Sequence, residues 1–93
     1  MYLELLRRDY KVTVGRTGDK EIDFVCDKSG EKLYVQVAYL LASEETVVRE
    51  FGAYDHIRDN FPKYVVSMDE FDMSQNGIKH RNIRDFLLMN EWN

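Results

Sequence analysis

The stretch Glu21-Ile22-Asp23-Phe24-Val25-Cys26-Asp27-Lys28-Ser29-Gly30-Glu31-Lys32-Leu33-Tyr34-Val35-Gln36-Val37-Ala38 decides the fold. Two runs of strand-forming residues flank a Ser-Gly turn. In the first, residues 21–27, Ile22, Phe24 and Cys26 alternate with Glu21, Asp23 and Val25, so the strand is expected to bury one face and expose the other. The second, residues 32–41, is rich in Val and Tyr and apolar enough to lie centrally in a sheet. A two-residue loop pairs Lys28 with Glu31, and a four-residue loop pairs Asp27 with Lys32. Both give one register, with Asp23 opposite Gln36 and Glu21 opposite Ala38; only an odd-length loop would break it. Directly opposed residues point to the same face with Cβ atoms about 5 Å apart. Glu21, Asp23, Gln36 and Ala38 are therefore expected to share one patch.

Upstream, Tyr2, Leu3, Leu6 and Tyr10 recur at helical spacing with Arg7 and Arg8 on the other side. No capping residue precedes them, which suggests that the chain enters partway along a longer helix. Lys11 to Val14 reads as a strand ended by Gly15-Arg16-Thr17-Gly18-Asp19. Downstream, Ser43 is a good N-cap, and Glu44 and Glu45 suit the positive end of a helix dipole. Val47, Phe51, Tyr54 and then Ile57 or Arg58 continue an amphipathic helix over 43–59, with Gly52 costing roughly 1 kcal/mol inside it. Asn60-Phe61-Pro62 stops it. Residues 64–68 read as a short buried strand, 69–77 as an acidic loop, 78–82 as an edge strand and 83–89 as a last helix. The order is α-β-β-β-α-β-(β)-α. The helix between the third and fourth strands suggests a parallel pair in a mixed central α/β sheet flanked by helices.

Ninety-three residues make a single domain, 1–93, with one core. A net charge of −4 argues against a domain that lives by coating phosphate backbones, though not against a local basic patch. The lone Cys26 cannot form an internal disulfide, no apolar run reaches the ~20 residues of a membrane span, and no signal peptide opens the chain. A cytoplasmic location, with no membrane contact, is expected.

The helix bearing Glu4, followed by Ile22-Asp23-Phe24-Val25 and Tyr34-Val35-Gln36-Val37-Ala38, resembles the core of the PD-(D/E)xK restriction-endonuclease-like superfamily. The likeness is closer to one branch, the domain of unknown function at the C-terminus of prokaryotic AAA-type ATPases. It is carried by residues 2–8, 20–25, 35–41, Glu50-Phe51-Gly52 and 62–69, nearly the whole chain. The resemblance implies a restriction-endonuclease-like sheet and a C-terminal fragment of a longer ATPase, with ATP bound only in the missing part. In active members an Asp and a Glu on neighbouring strands hold Mg²⁺, and a Lys two residues later helps to activate water. Asp23 matches the first position, Gln36 occupies the second, and Ala38 stands where the lysine belongs. Glu4 matches a helical acid frequent in this fold, so Glu4, Asp23 and Gln36 form the candidate Mg²⁺ ligand set. Without a base or cation at the attacked phosphate, hydrolysis loses its main drivers. Lys20 and Lys32 have the wrong strand parity to replace that cation; Arg49, on the helix, is the alternative. The plain structural reading of Asp23 and Gln36 is an exposed, charged strand face.

Other residues carry less. Cys26 shares a face with Ile22 and Phe24 and reads as a small core residue. His56 reads as an exposed helix residue, and no second ligand stands at metal-like spacing from it or from His80. Lys79-His80-Arg81 with Arg84 is the one local basic run, a candidate nucleic-acid or partner contact or else a solvated edge. Asp69, Glu70 and Asp72 lack calcium-loop spacing, and Gly15-Arg16-Thr17-Gly18 lacks Walker spacing. Three functions follow as expectations: a non-catalytic nuclease-fold module contacting nucleic acid or protein, chiefly the ATPase domain of its own parent; a Mg²⁺-dependent endonuclease with a degenerate site; or a structural or oligomerisation element.

Overall fold

The computed structural model describes the chain apart from residues 18, 19, 56, 58 and 93. The expectations for His56, Arg58 and the Gly18-Asp19 turn lie outside the described residues, as does the side chain of Lys20. Among the described residues three helices, α1 (Tyr2–Arg7), α2 (Glu44–Gly52) and α3 (Ile83–Leu88), surround five strands. The strands are β1 (Lys11–Thr17), β2 (Lys20–Lys28), β3 (Glu31–Val37), β4 (Lys63–Ser67) and β5 (Lys79–Asn82). They form one sheet in the order β1-β2-β3-β4-β5, antiparallel through β3 and parallel from β3 to β5.

The β2–β3 hairpin has the expected register: Lys28 pairs with Glu31 and Phe24 with Val35. Ser29 and Gly30 both take positive φ (54° and 82°), as a two-residue primed turn requires. The face assignment of β2 is corrected by a bulge. Thr13 pairs with Val25 but Gly15 pairs with Ile22, so Asp23 and Phe24 together oppose Val14 alone. Beyond the bulge the alternation inverts. Ile22 leaves the company of Phe24 and Cys26 and joins Val25 in the cluster under α2. Glu21 turns out to solvent and meets Arg16 at 3.4 Å. A Cβ on Gly15 would come within 2.3 Å of Val25 Cγ2, so the close approach at the bulge needs a residue without a side chain.

The sheet is buried on both faces. Leu5 of α1 and Phe86 of α3 pack with Cys26, Leu33, Val35, Tyr64, Val66 and Trp92 on one side. Phe51 of α2 packs with Ile22, Tyr34, Tyr54, Val65 and Ile78 on the other. Cys26 is a buried core thiol, pushed up to about 12 by desolvation, as its position beside Phe24 leads one to expect.

Several element boundaries differ from the sequence reading. β1 continues through Gly15 to Thr17, because β2 pairs with it past the bulge. α1 ends before Tyr10 in a Schellman arrangement: Tyr10 N–H bonds the Leu5 carbonyl, Asp9 N–H bonds that of Leu6, and Asp9 takes φ 68°. α2 stops at Gly52 rather than at residue 59. Beyond it, four-residue turns from Phe51 to Tyr54, Gly52 to Asp55 and Tyr54 to Ile57 replace the helix ladder. They carry the Tyr54 hydroxyl inward to donate to the Tyr64 carbonyl at 2.7 Å. β3 stops at Val37, and the chain continues along β4 alone through Ala38 N–H to Val66 O and Met68 N–H to Tyr39 O.

Candidate functional site

The bulge decides what becomes of the candidate site. It opens the ladder between β2 and β3 where Asp23 faces Gln36, and their side chains close the gap. Gln36 Oε1 accepts the Asp23 backbone N–H at 2.5 Å, and Asp23 Oδ2 accepts the Val37 backbone N–H at 2.9 Å. Buried backbone donors must find acceptors, and here the acceptors are the two candidate ligands themselves. With its carbonyl oxygen held by Asp23, Gln36 turns its amide nitrogen to α2 and donates to Glu50 Oε2 at 3.2 Å. The patch is therefore Asp23, Gln36 and Glu50. Burial first, and then the charge of Asp23, raise the Glu50 carboxyl above the ordinary glutamate value. Arg49, a cation considered for this site, is exposed and lies 3.6 Å from Glu50 through Nε.

The other residues assigned by the resemblance lie apart. Ala38 is half-buried among the residues under α2 and brings no polar group. Glu4 is on α1, whose Leu5 packs in the opposite cluster. Its carboxylate accepts from Arg7 Nη2 and Arg8 Nε, both at 2.7 Å, and those bonds lower it to about 2. Arg8 also binds the Leu87 and Met89 carbonyls and stacks 3.8 Å over the Trp92 ring. Glu4 thus belongs to a clamp between α1 and the C-terminal segment. Glu4, Asp23 and Gln36 do not fit a Mg²⁺ ion: Glu4 serves its arginines, and the Gln36 nitrogen points where a metal would need oxygen. Among the described residues, no group of three His, Cys, Asp or Glu side chains is placed to hold a metal. Glu50, quoted in the sequence only within Glu50-Phe51-Gly52, is not among the expected site residues, though it has a signal: Val47, Glu50, Phe51 and Tyr54 follow the i, i+3, i+4, i+7 spacing of a buried stripe, with an acid at its second place.

The basic run is dispersed by β5. His80 is 1% exposed, which corrects its reading as part of a solvated edge. Lys79 is half-buried with its ammonium 5.5 Å from the Tyr64 ring centroid. Arg81 donates to the His80 carbonyl at 2.7 Å and faces Asp72, while Arg84 reaches Glu70 and Asp85.

His80 forms a second polar cluster. Its Nδ1 accepts the Met73 N–H at 3.1 Å, which leaves the proton on Nε2 to face Ser67 Oγ at 2.7 Å. The Ser67 hydroxyl donates to Asp69 Oδ2 at 2.7 Å, and the same oxygen accepts the Leu41 N–H. Asn82 donates to the carbonyls of Met68 and Asp69. Ser67 and His80 make the contact of a nucleophile and its base with the protons running the wrong way: the hydroxyl proton points to Asp69, and the serine is buried. The cluster fixes the C-terminal ends of β4 and β5. Burial lowers the His80 pKa below the ordinary histidine value, against the opposing pull of Asp69 and Asp72. A cavity of about 600 Å³ lies elsewhere, between the end of α2, Phe61 and the turn at Gln75-Gly77.

No family model and no solved structure matches the chain. The chain is 37% identical over 89 residues to a Haemophilus influenzae protein described as an uncharacterized protein. That stretch is 95% of this chain and 22% of the relative, so the chain spans about a fifth of the length of the curated relative that it matches.

Proposed function

We propose that this domain is a non-catalytic accessory module with a nuclease-like plan, working by contact with protein, and that its first partner is the ATPase portion of a longer parent chain. The observation that supports this most is the commitment of Gln36. Its oxygen satisfies Asp23 N–H and its nitrogen satisfies Glu50, so the residue at the second ligand position serves as a hydrogen-bonded spacer. Ala38 adds no cation to it. Contact with protein rather than nucleic acid is favoured by the net charge of −4 and by the dispersal of the basic run, in which His80 is buried and Arg81 and Arg84 face carboxylates.

The test is direct. The purified chain, incubated with labelled single- and double-stranded DNA and millimolar Mg²⁺ or Mn²⁺, is expected to leave both intact. It is expected to melt at the same temperature with and without metal, since a ligand bound only by the native state would raise the midpoint. Metal-dependent cleavage that disappears in Asp23→Asn would overturn the reading in favour of a degenerate nuclease. A salt-sensitive complex with DNA would overturn the preference for protein.

A further inference from the structure

His80 is a buried titratable group that the proposed function leaves unused, and both of its ring nitrogens are committed. Nδ1 accepts the Met73 N–H at 3.1 Å, so the proton sits on Nε2 and faces Ser67 Oγ at 2.7 Å. This arrangement exists only for the neutral ring. An imidazolium carries protons on both nitrogens and accepts nothing, so a second proton sets Nδ1–H against Met73 N–H. Two donors cannot stay in contact, and one of them must move.

The segment that carries Met73 is hinged between two anchors. On its N-terminal side Asp69 is fixed, with Oδ2 accepting both the Leu41 N–H and the Ser67 hydroxyl at 2.7 Å. On its C-terminal side Ser74 Oγ accepts the His80 backbone N–H at 2.8 Å, a bond that does not titrate, and Gln75 pairs with Ile78. Between these anchors, residues 70–73 are held by the Met73 bond to the ring and by the half-buried Met73 side chain against the cluster under α2. Two ion pairs join them, Arg84–Glu70 at 3.4 Å and Arg81–Asp72 at 3.7 Å, at the surface where such pairs hold little. Phe71, 84% exposed, adds little packing. Loss of the bond to the ring thus frees this stretch from the sheet and leaves both anchors in place.

We infer that His80 is a proton-operated latch on residues 70–73. With the ring neutral, Met73 N–H is held and the segment lies against the ends of β4 and β5. When Nδ1 takes a proton from solvent, Met73 is released, the ring donates to a loop oxygen, and the stretch swings out between Asp69 and Ser74 while the sheet stays folded. Partners for the charged ring stand on the same segment: the Phe71 carbonyl is placed to accept from it, and the Asp69 and Asp72 carboxylates favour it, whereas Arg81 opposes it. Glu70 and Asp85 line the shallow pocket beside the ring and are paired with Arg84. Gln36, Val65 and His80 form one register row, which sets Gln36 with its partners Asp23 and Glu50 two strands away, about 10 Å. Desolvation outweighs the nearby carboxylates and keeps the ring neutral at neutral pH. Opening the segment hydrates the ring and removes that cost, so the open form binds the proton more tightly than the closed one. Acid then shifts the population by as much as the two affinities differ.

Nitrogen NMR of the histidine ring and amide hydrogen exchange, followed together over a pH series, read both halves of the latch. In wild type the ring is expected as the Nε2–H tautomer at neutral pH and to titrate below 6.5. Protection of the Met73 amide, corrected for the intrinsic exchange rate, should fall about tenfold with the same midpoint, while Val35 and Val65 in the centre of the sheet keep theirs. In Asp72→Asn, a surface change that removes a carboxylate favouring the charged ring, both midpoints should move together to lower pH. In His80→Asn, whose amide oxygen takes the place of Nδ1 and does not titrate, Met73 should stay protected until the whole domain unfolds. A ring that titrates while Met73 stays protected overturns the inference, as does an Nδ1–H tautomer at neutral pH. So do Met73 and Val35 losing protection in one step, midpoints that separate in Asp72→Asn, and a pH-dependent loss at Met73 that persists in His80→Asn. None of these outcomes bears on the nuclease assay above.

Discussion

Two polar clusters sit inside this sheet, and they answer the same problem with opposite charge logic. At the β2–β3 junction, Asp23, Gln36 and Glu50 gather two carboxylates around one neutral amide. At the β4–β5 junction, Ser67, His80 and Asp69 surround one carboxylate with donors. In both places the regular ladder ends or buckles, and side chains supply the hydrogen bonds that the backbone has lost. The first cluster resembles a catalytic site by residue type and position, and the second resembles a Ser-His pair by distance. Both are explained by the backbone groups they satisfy. A constellation of reactive residues is evidence of chemistry only after its hydrogen bonds have been accounted for.

Removing one member of each cluster tests that comparison, and the His80 cluster should respond most. His80→Ala leaves a cavity, an unpartnered Met73 N–H and a Ser67 without its donor, and should destabilise by about 3 kcal/mol, read by urea unfolding. A change under 1 kcal/mol would show that the cluster braces nothing. Gln36→Leu leaves the Asp23 N–H unpartnered and removes the only amide between two carboxylates, with an expected loss of about 2 kcal/mol. Gln36→Glu sharpens the point: it places a third carboxylate beside Asp23 and Glu50, so it should destabilise at neutral pH. In that variant alone Mg²⁺ should raise the melting temperature. Gly15→Ala forces a contact with Val25 at the bulge and should cost about 1–3 kcal/mol. If it is neutral, the bulge is not as tightly packed as its geometry indicates.

The pH dependence separates the clusters with a smaller effect. Glu50 has a folded pKa above the ordinary 4.5, so the native state holds its proton more tightly. Stability from this group is present when it is protonated and falls as pH rises from 4.5 through the folded value. His80 has a folded pKa below the ordinary 6.5, so its contribution is present above 6.5 and is lost as pH falls through the folded value. The two slopes have opposite sign. Glu50→Gln should remove the falling slope, leave stability rising with pH, and change neutral-pH stability by only about 0.5 kcal/mol. His80→Asn should do the reverse in the same titration of unfolding free energy. Equal slopes in the two variants would break the comparison.

How much of this was legible depended on how local the information was. The hairpin register could be read from its turn, because an even loop between two alternating runs leaves one pairing, and Asp23 does meet Gln36. The mixed five-stranded sheet with flanking helices followed from periodicity and from the helix between β3 and β4. The inversion at Ile22 was not legible, because a bulge is decided by the partner strand, and Gly15 by its local sequence reads as part of a turn. Glu50 was visible as an acid in an apolar stripe, but its neighbour in space is fourteen residues away on a strand. His80 looked like part of a basic run because Lys79 and Arg81 flank it. Strand alternation, reinforced by Ile78 and Asn82, carries it inward instead.

The sequence alone determined the order of strands and helices, how the hairpin pairs, and that alanine stands at position 38. Those properties follow from turn chemistry and hydrophobic period, which act over a few neighbouring residues. Only the tertiary structure decided that Asp23 and Gln36 serve the backbone, that Glu50 replaces Glu4 beside them, and that His80 is buried. Each of these depends on which groups from distant segments compete for the same hydrogen bonds, and that competition exists only once the sheet has closed between its helices.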